Sequence, residues 1–333
     1  MFEIDSAQEK ISPAARSSWW QRWSLRRKII IGATLLLVII ALAVGLGVGL
    51  TIAGSEDEAP GDNGTAPPPV SPNGTIPAGI WKPVAGTTWN YEILRPVGEV
   101  SADAEVWDID LFNNNETVIN SIQAAGRKVL CYFSAGSYED WRPDKDEFQE
   151  SDLGNDLVGW EGEKWLNTRS DNVRRIMQAR LDMAAQKRCD GVEPDNVDAY
   201  DNDNGLGLSE ADAQDYVTFL ANEAHSRNLS LALKNAGNIV PAVIDIVEYS
   251  VQEQCIQYNN CNQFMPFIQA NKPVFHVEYP KGDDINNNNL IAMDAEESIC
   301  DSSAAAGFST IIKNMDLDDW IQPCPTNQTY SGN

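Results

Sequence analysis

The chain has 333 residues, 43% of them hydrophobic, enough to bury the core of one large domain with accessory segments. Its formal charge of -25 argues against nucleic acid as a partner, because a field of that sign repels phosphate backbones and favours polycations. The imbalance is uneven. Residues 1–53 hold six Lys/Arg against three Asp/Glu, and the remaining residues hold 18 against 46, a balance of -28. Read alone, that acidity is a solubility feature.

Residues 1–28 read as a cytoplasmic tail. From Ile29 to Ile52 there is no charged residue, and these 24 positions are long enough to cross a hydrocarbon core as a helix. A cleaved signal peptide would start earlier and carry a shorter apolar run. Arg22, Arg26, Arg27 and Lys28 precede the run, and Glu56, Asp57 and Glu58 follow it. The positive-inside rule then predicts a single-pass type II signal anchor at 29–52. Trp19, Trp20 and Trp23 suit the interfacial aromatic belt, and Gly45 with Gly49 forms a GxxxG pair. Residues 53–80, rich in Pro, Gly, Asn and Thr, read as an extended stalk on the cell-wall side of the membrane. Sequons at Asn63, Asn73, Asn115, Asn228 and Asn327 all fall after the apolar run. So do all six cysteines, which suits an oxidising compartment. Six cysteines allow 15 pairings. Cys255 with Cys261 is the most local, and Cys300 with Cys324 is a second candidate. No zinc spacing is present.

Residues 81–333 read as one domain. Apolar runs that suit strands recur at Trp89–Leu94, Ala104–Leu111, Lys128–Phe133, Gly191–Glu193, Leu229–Leu233, Ile244–Val251, Pro273–Val277 and Ser309–Ile312. Between them, Asp171–Gln186 has helical spacing of Val173, Ile176, Met177, Ala179, Leu181 and Ala184. Ser209–Asn228 opens on an N-cap followed by acid in the first turn. Eight strands with helical crossovers predict an α/β fold, a (β/α)8 TIM-type barrel preceded by one transmembrane helix. An open doubly wound sheet is the alternative, but no GxGxxG follows a strand.

The chain has two histidines, and it lacks a GxSxG elbow, an HExxH helix and a phosphate-binding loop. His225, inside a predicted helix, suits a structural role. Residues 201–205 resemble a calcium loop, but the register places Tyr200 at the first ligand position. No metal or cofactor is expected. What remains is carboxylates at strand ends: Asp108 and Asp110, Glu193 and Asp195, Glu253, and Glu278. Pro194 predicts that Asp195 leaves the ladder and joins the loop at the barrel mouth. Paired carboxylates suit glycoside hydrolysis, one protonating the departing oxygen and the other attacking the anomeric carbon or activating water. Trp89, Tyr132, Trp141, Trp160, Trp165 and Tyr279 are candidate sugar platforms. Core packing is the commoner reason for such aromatics, and spacing alone does not outweigh it.

The residues themselves go further. VLCYFSAGSYEDWRPD (129–144), GWEGEKWL (159–166), CDGVEPDNVD (189–198), LKN (233–235), QEQC (252–255) and VEY (277–279) resemble glycoside hydrolase family 114 over roughly residues 81–320. These are endo-α-1,4-polygalactosaminidases on a (β/α)8 barrel, and the anchor and stalk resemble the family's membrane-tethered fungal form. The resemblance implies internal cleavage of a cationic, partly N-acetylated galactosamine polymer of the galactosaminogalactan type. Separately, the chain is expected to be a monomer. It places the catalytic pair on Asp195, as nucleophile, and Glu253, as acid/base, with retention and with the order open to reversal. It places subsite residues at Asp108, Tyr132, Glu163, Lys234, Asn235 and Tyr279, with Trp160, Glu193 and Glu278 as further candidates. A carbohydrate-binding protein without catalysis, and a hydrolase of another amino-sugar polymer, are the alternatives.

Overall fold

The computed structural model describes residues 79–325. Eight strands run parallel in one sheet: β1 (Trp89–Glu92), β2 (Val106–Asp110), β3 (Lys128–Ser134), β7 (Gly191–Asp195), β8 (Ser230–Lys234), β9 (Tyr249–Glu253), β10 (Val274–Glu278) and β11 (Ser309–Lys313). Helices α1 (Glu116–Ala124), α2 (Asp171–Gln186), α3 (Glu210–Ser226), α4 (Val240–Val243), α5 (Cys255–Tyr258), α6 (Met265–Gln269) and α7 (Met293–Cys300) follow the strands. Between β3 and α2 lies a small antiparallel sheet of β4 (Ser137–Glu139), β5 (Leu153–Asp156) and β6 (Glu163–Leu166), in the order β4-β6-β5. A ninth strand, β12 (Ile321–Pro323), pairs antiparallel with β11.

The result is a nearly closed, barrel-like α/β fold, as the eight apolar runs predict. At the seam β1 and β11 share no ladder. There Trp89 Nε1 donates to the Ser309 carbonyl at 2.8 Å, Ser309 Oγ to the Thr87 carbonyl at 2.6 Å, and Ile93 N to the Leu317 carbonyl at 3.1 Å. Each predicted run overlaps one strand, and six of the strands continue one or two residues past the run. The sixth run is too long: Ile244–Val247 continue out of α4, and the strand starts only at Tyr249. A short apolar run does not separate a helix end from a strand.

Period-2 alternation sorts the side chains into two cores. Trp89, Tyr91, Val106, Leu130, Tyr132, Ala232, Tyr249, Val251, Phe275 and Val277 fill the barrel interior. Trp107, Ile109, Val129, Phe133, Val192, Leu231, Leu233 and Val274 point outward against the helices. Helix α2 has the predicted bounds, capped by Ser170, and it buries Val173, Ile176, Met177, Leu181 and Ala184. It differs at one step: Ala179 faces solvent and Arg180 is buried. Arg180 holds Asp144 through Nε and Nη2 (2.8 and 2.9 Å) and donates to the Ser134 carbonyl at 2.6 Å. This ties the end of β3 to the insertion that follows it. Helix α3 opens on a capping box of Ser209 and Asp212.

All six cysteines are paired: Cys255–Cys261, Cys300–Cys324 and Cys131–Cys189. The last joins β3 to the residue before Asp190 and Gly191, at the base of the strand that carries Asp195. The exposed sequons Asn115 and Asn228 lie at the N-cap of α1 and in the turn after α3. Among the described residues no helix is long and apolar enough to cross a membrane. Residues 1–78, which hold the expected tail, the anchor and all of the stalk but its last two residues, lie outside the described residues, as does Asn327.

Candidate active site

Three neighbouring strands end on charged, inward-facing side chains. Alternation brings Glu193 and Asp195 inward from β7, Lys234 from β8 and Glu253 from β9. Asp195 is still a strand residue, paired with Ser134 of β3, which corrects its expected place in the loop. Pro194 ends the ladder on one side only: pairing with β8 stops at Val192, while the β3 side continues. The Asp195 carbonyl then accepts Ala135 N (2.9 Å) and Gly136 N (3.0 Å). Gly136 has no alternative here, because a Cβ would sit 1.7 Å from the Asn196 carbonyl oxygen.

Each of these strands turns away immediately after its functional residue. Asn196, Asn235, Ala236 and Gln254 all have positive φ, at 61°, 46°, 54° and 55°. Asn tolerates this region, whereas Ala and Gln are held there at a cost of about 1 kcal/mol or more each. The strained turns leave the strand ends open to a cleft of about 380 Å³. Tyr91, Tyr132, Trp160, Glu163, Trp165, Asp195, Lys234, Asn235, Glu253 and Tyr279 line it. A larger cleft, about 530 Å³, opens at the opposite end by the β1/β11 seam, but its only carboxylate is Asp103. The chemistry belongs to the smaller one.

Lys234, 1% exposed, is the hub. Its Nζ lies 2.8 Å from Glu193 Oε1, 3.3 Å from Asp195 Oδ2, 3.5 Å from Glu253 Oε2 and 2.9 Å from Tyr91 OH. Burial works against its charge, but Asp195, Glu193 and Glu253 more than offset this and hold the ammonium well above its ordinary pKa. One cation thus serves three carboxylates. Burial pushes Glu193 up to about 7, against the pull of Lys234 and with the push of Asp195. Beneath it, burial and then Glu193 push Asp108 well above the carboxylate range. The two Asp108 oxygens and Glu193 Oε2 have no hydrogen-bond donor among the described residues.

The two predicted catalytic carboxylates are held differently. Asp195 Oδ1 accepts Asn196 N at 2.6 Å, and Oδ2 accepts Tyr132 OH at 3.2 Å. Glu253 Oε1 accepts Tyr279 OH at 2.5 Å, and Oε2 accepts Asn235 Nδ2 at 3.3 Å. Burial raises the Glu253 carboxyl, but Lys234, Tyr279 and Asn235 outweigh it and leave it below its ordinary value. Their oxygens share the Lys234 Nζ, so they lie at most about 7 Å apart, which admits the retaining spacing of about 5–5.5 Å.

Asp108, Tyr132, Glu163, Glu193, Lys234, Asn235 and Tyr279 gather around this pair, with exposed Trp160 at the rim. Glu163 comes from β6, accepts Ser137 Oγ at 2.6 Å, and is pushed up to about 7 by burial, then by Glu139 and Asp195. Other candidates lie elsewhere. Glu278 is on the outer face of β10, where its Oε1 accepts Ile256 N at 2.8 Å and meets His276 Nε2 at 3.0 Å. Asp110 pairs with buried Arg142 at 2.8 Å. Trp89 stacks on Phe275 inside the barrel, and Trp141 is exposed but does not line the cleft. His225 meets Glu248 at 3.1 Å in the helical layer, a structural contact. His276 lies beside Cys255 and Cys261, a cluster whose two sulfurs are already joined in a disulfide. Sequence reasoning missed Tyr91, whose OH donates to Glu193 at 3.0 Å, and Asp198, pushed up to about 6 by burial and Asp195. Tyr91 was legible only as the inward partner of Trp89 on β1, and Asp198 only as the end of the 189–198 motif.

The family model for glycoside-hydrolase family GH114 matches residues 71–329. The chain belongs to this family. A crystal structure of Aspergillus fumigatus Ega3 in complex with galactosamine is similar at 57% identity and a TM-score of 0.72, covering 73% of this chain and 97% of that one. The glycoside hydrolase domain of PelA from Pseudomonas aeruginosa shares the fold at 9% identity and a TM-score of 0.54, covering 71% of this chain and 98% of that one. No curated protein sequence matches the chain. The protein is thus a glycoside hydrolase by family, and the carboxylates at the mouth are its candidate machinery.

Proposed function

We propose that this GH114 protein is an endo-acting hydrolase of α-1,4-galactosaminidic bonds in a cationic galactosamine/N-acetylgalactosamine polymer, held at the cell surface by residues 29–52. The observation that carries the reading is the pair Asp195 and Glu253 sharing Lys234 in an open cleft, in a chain 57% identical to a protein solved with galactosamine. Asp195 attacks the anomeric carbon as Glu253 protonates the departing oxygen. The glycosyl–Asp195 ester then yields to a water deprotonated by Glu253, and configuration is retained. Asp195 suits the nucleophile because two donors and Lys234 keep its charge fixed in place. Glu253 is the more solvent-exposed of the two (25% against 17% for the side chains), which suits proton exchange. The test is product analysis on defined galactosamine and N-acetylgalactosamine oligomers. Internal cuts that yield products of retained configuration support the reading. Tight binding without cleavage would favour a carbohydrate-binding protein, and cleavage of chitosan instead would move the substrate to another amino sugar.

A second reading reverses the two roles. The low pKa of Glu253 favours it, since an ionised carboxylate bonded by a tyrosine suits attack better than proton donation. The assignment test is described in the Discussion.

The -28 balance beyond residue 53 gives the cleft's substrate a long-range attraction. The rate on the cationic polymer at sub-saturating concentration is expected to fall several-fold between about 20 and 300 mM salt, because the Debye length shrinks across that range. A rate independent of salt would return the acidity to solubility alone.

Glu163 adds a pH signature. Below about 7 it is neutral, and above it the carboxylate can pair with a substrate ammonium. KM for galactosamine oligomers is therefore expected to fall between pH 6 and 7.5 in the wild type. Glu163→Gln should raise KM and flatten that slope, as read from Michaelis curves across the range.

A further inference from the structure

A second recess, about 230 Å³, adjoins the catalytic cleft and shares Asp198, Asn235, Glu253 and Gln254 with it. It opens between the turns that follow β7, β8 and β9. Its floor includes Gln252, on the outer face of β9 and 3% exposed. Gln252 Nε2 donates to the Glu253 carbonyl at 2.8 Å, while Oε1 is buried with no donor among the described residues. Asn260 Oδ1, also lining the recess, is buried without a donor in the same way. Asp198 and Asp201 stand on the same wall, and no Lys or Arg lines it. The recess thus carries negative charge and two buried acceptors, Gln252 Oε1 and Asn260 Oδ1, without a donor among the described residues. A buried acceptor left unmade costs about 1–3 kcal/mol, so such a wall favours a ligand that brings donors.

We propose that this recess is a further subsite, taking an amine-bearing pyranose ring of the substrate on the far side of Glu253 from Trp160. The proposal rests on the amino-sugar reading above and deepens it. The ring's ammonium faces Asp201 and Asp198, and its N–H and O–H groups complete Gln252 Oε1 and Asn260 Oδ1. N-acetylation would remove the ammonium charge that faces Asp201 and Asp198 and add bulk, so the subsite selects free amine.

The test uses the full chain in detergent micelles, with Asp201→Lys, on the exposed rim, and Gln252→Leu, of similar shape. Binding of a galactosamine hexamer is measured by calorimetry, and cleavage of hexamers with free or N-acetylated amines is measured in parallel. Both variants are expected to weaken hexamer binding about tenfold and to lower the rate preference for free amine by a similar factor. Unfolding temperatures serve as the folding control, and Asp201→Asn replaces Asp201→Lys if the latter is unstable. Wild-type cleavage with unchanged affinity and preference in the variants would overturn the subsite and leave the hydrolase reading standing. Wild-type binding without cleavage, weakened tenfold by the variants, would support the subsite and sink the hydrolase reading. No hexamer binding by the wild type would overturn the subsite.

Discussion

Asp195→Asn and Glu253→Gln are each expected to cut turnover of the galactosamine polymer by about a thousandfold or more, with hexamer binding kept. Neither change should unfold the protein. Each removes one negative charge from a site where Lys234 already faces three carboxylates, so the unfolding temperature should stay within a few degrees or rise. Near-normal turnover in either variant would remove that residue from the mechanism. The roles are then separated by azide rescue of the alanine variants. Removing the acid/base lets azide attack the glycosyl-enzyme and gives a glycosyl azide of retained configuration. Removing the nucleophile lets azide attack directly and inverts it. The pH profile gives an independent reading. A general acid must carry its proton, and the site lowers the pH at which Glu253 gives its proton up. If Glu253 is the acid, kcat/KM should fall as pH rises through that low value, placing the optimum on the acidic side. If Glu253 is the nucleophile, the same titration should give a rise instead.

Lys234→Met should be the most destabilising single change at the site. It leaves Glu193, Asp195 and Glu253 facing one another without their cation, and loss of one partner from a buried ion pair costs about 3–5 kcal/mol. The pH dependence follows from the direction of the shifts. Wild-type Lys234 has a raised folded pKa, so its contribution is complete below the ordinary lysine value and is lost only as pH climbs through the folded one. In the variant the carboxylates are expected to titrate higher than in the unfolded chain. Its deficit should be small at acid pH and grow as pH rises through their unfolded values. Adding Glu193→Gln should recover a large part of the loss, because it removes the most buried of the three charges. Denaturant unfolding at pH 4 and pH 7 measures both effects. An equal deficit at both pH values would mean that Lys234 acts through packing rather than charge.

Much of the barrel could be read in the chain because its signals are local. Eight apolar runs mark the eight parallel strands, and the α2 stripe and the Ser209 cap mark helices, since turn-by-turn periodicity needs no distant partner. The catalytic candidates were legible for another reason: long ordered motifs around residues 129–144, 189–198 and 252–255 carry the family's pattern. Where the sequence misleads, a non-local effect decides. Glu278 ends a strand as Glu253 does, but one residue of register turns it outward, and only pairing sets register. Pro194 breaks the ladder as expected, yet only toward β8, so Asp195 stays anchored on β3. Ala179 and Arg180 exchange places because an arginine reaching Asp144 and the Ser134 carbonyl is satisfied in the interior.

The sequence by itself determined the topology of strands and helices, the family, the net charge and the two carboxylates, all properties of local pattern or composition. The tertiary structure alone decided that Lys234 stands among Glu193, Asp195 and Glu253, that burial and Glu193 raise the Asp108 pKa, and that Lys234 and its neighbours lower that of Glu253. Those are outcomes of burial and of distances between side chains on different strands, from 19 residues apart in sequence for Lys234 and Glu253 to 41 for Lys234 and Glu193, and electrostatic energy depends on that separation in space.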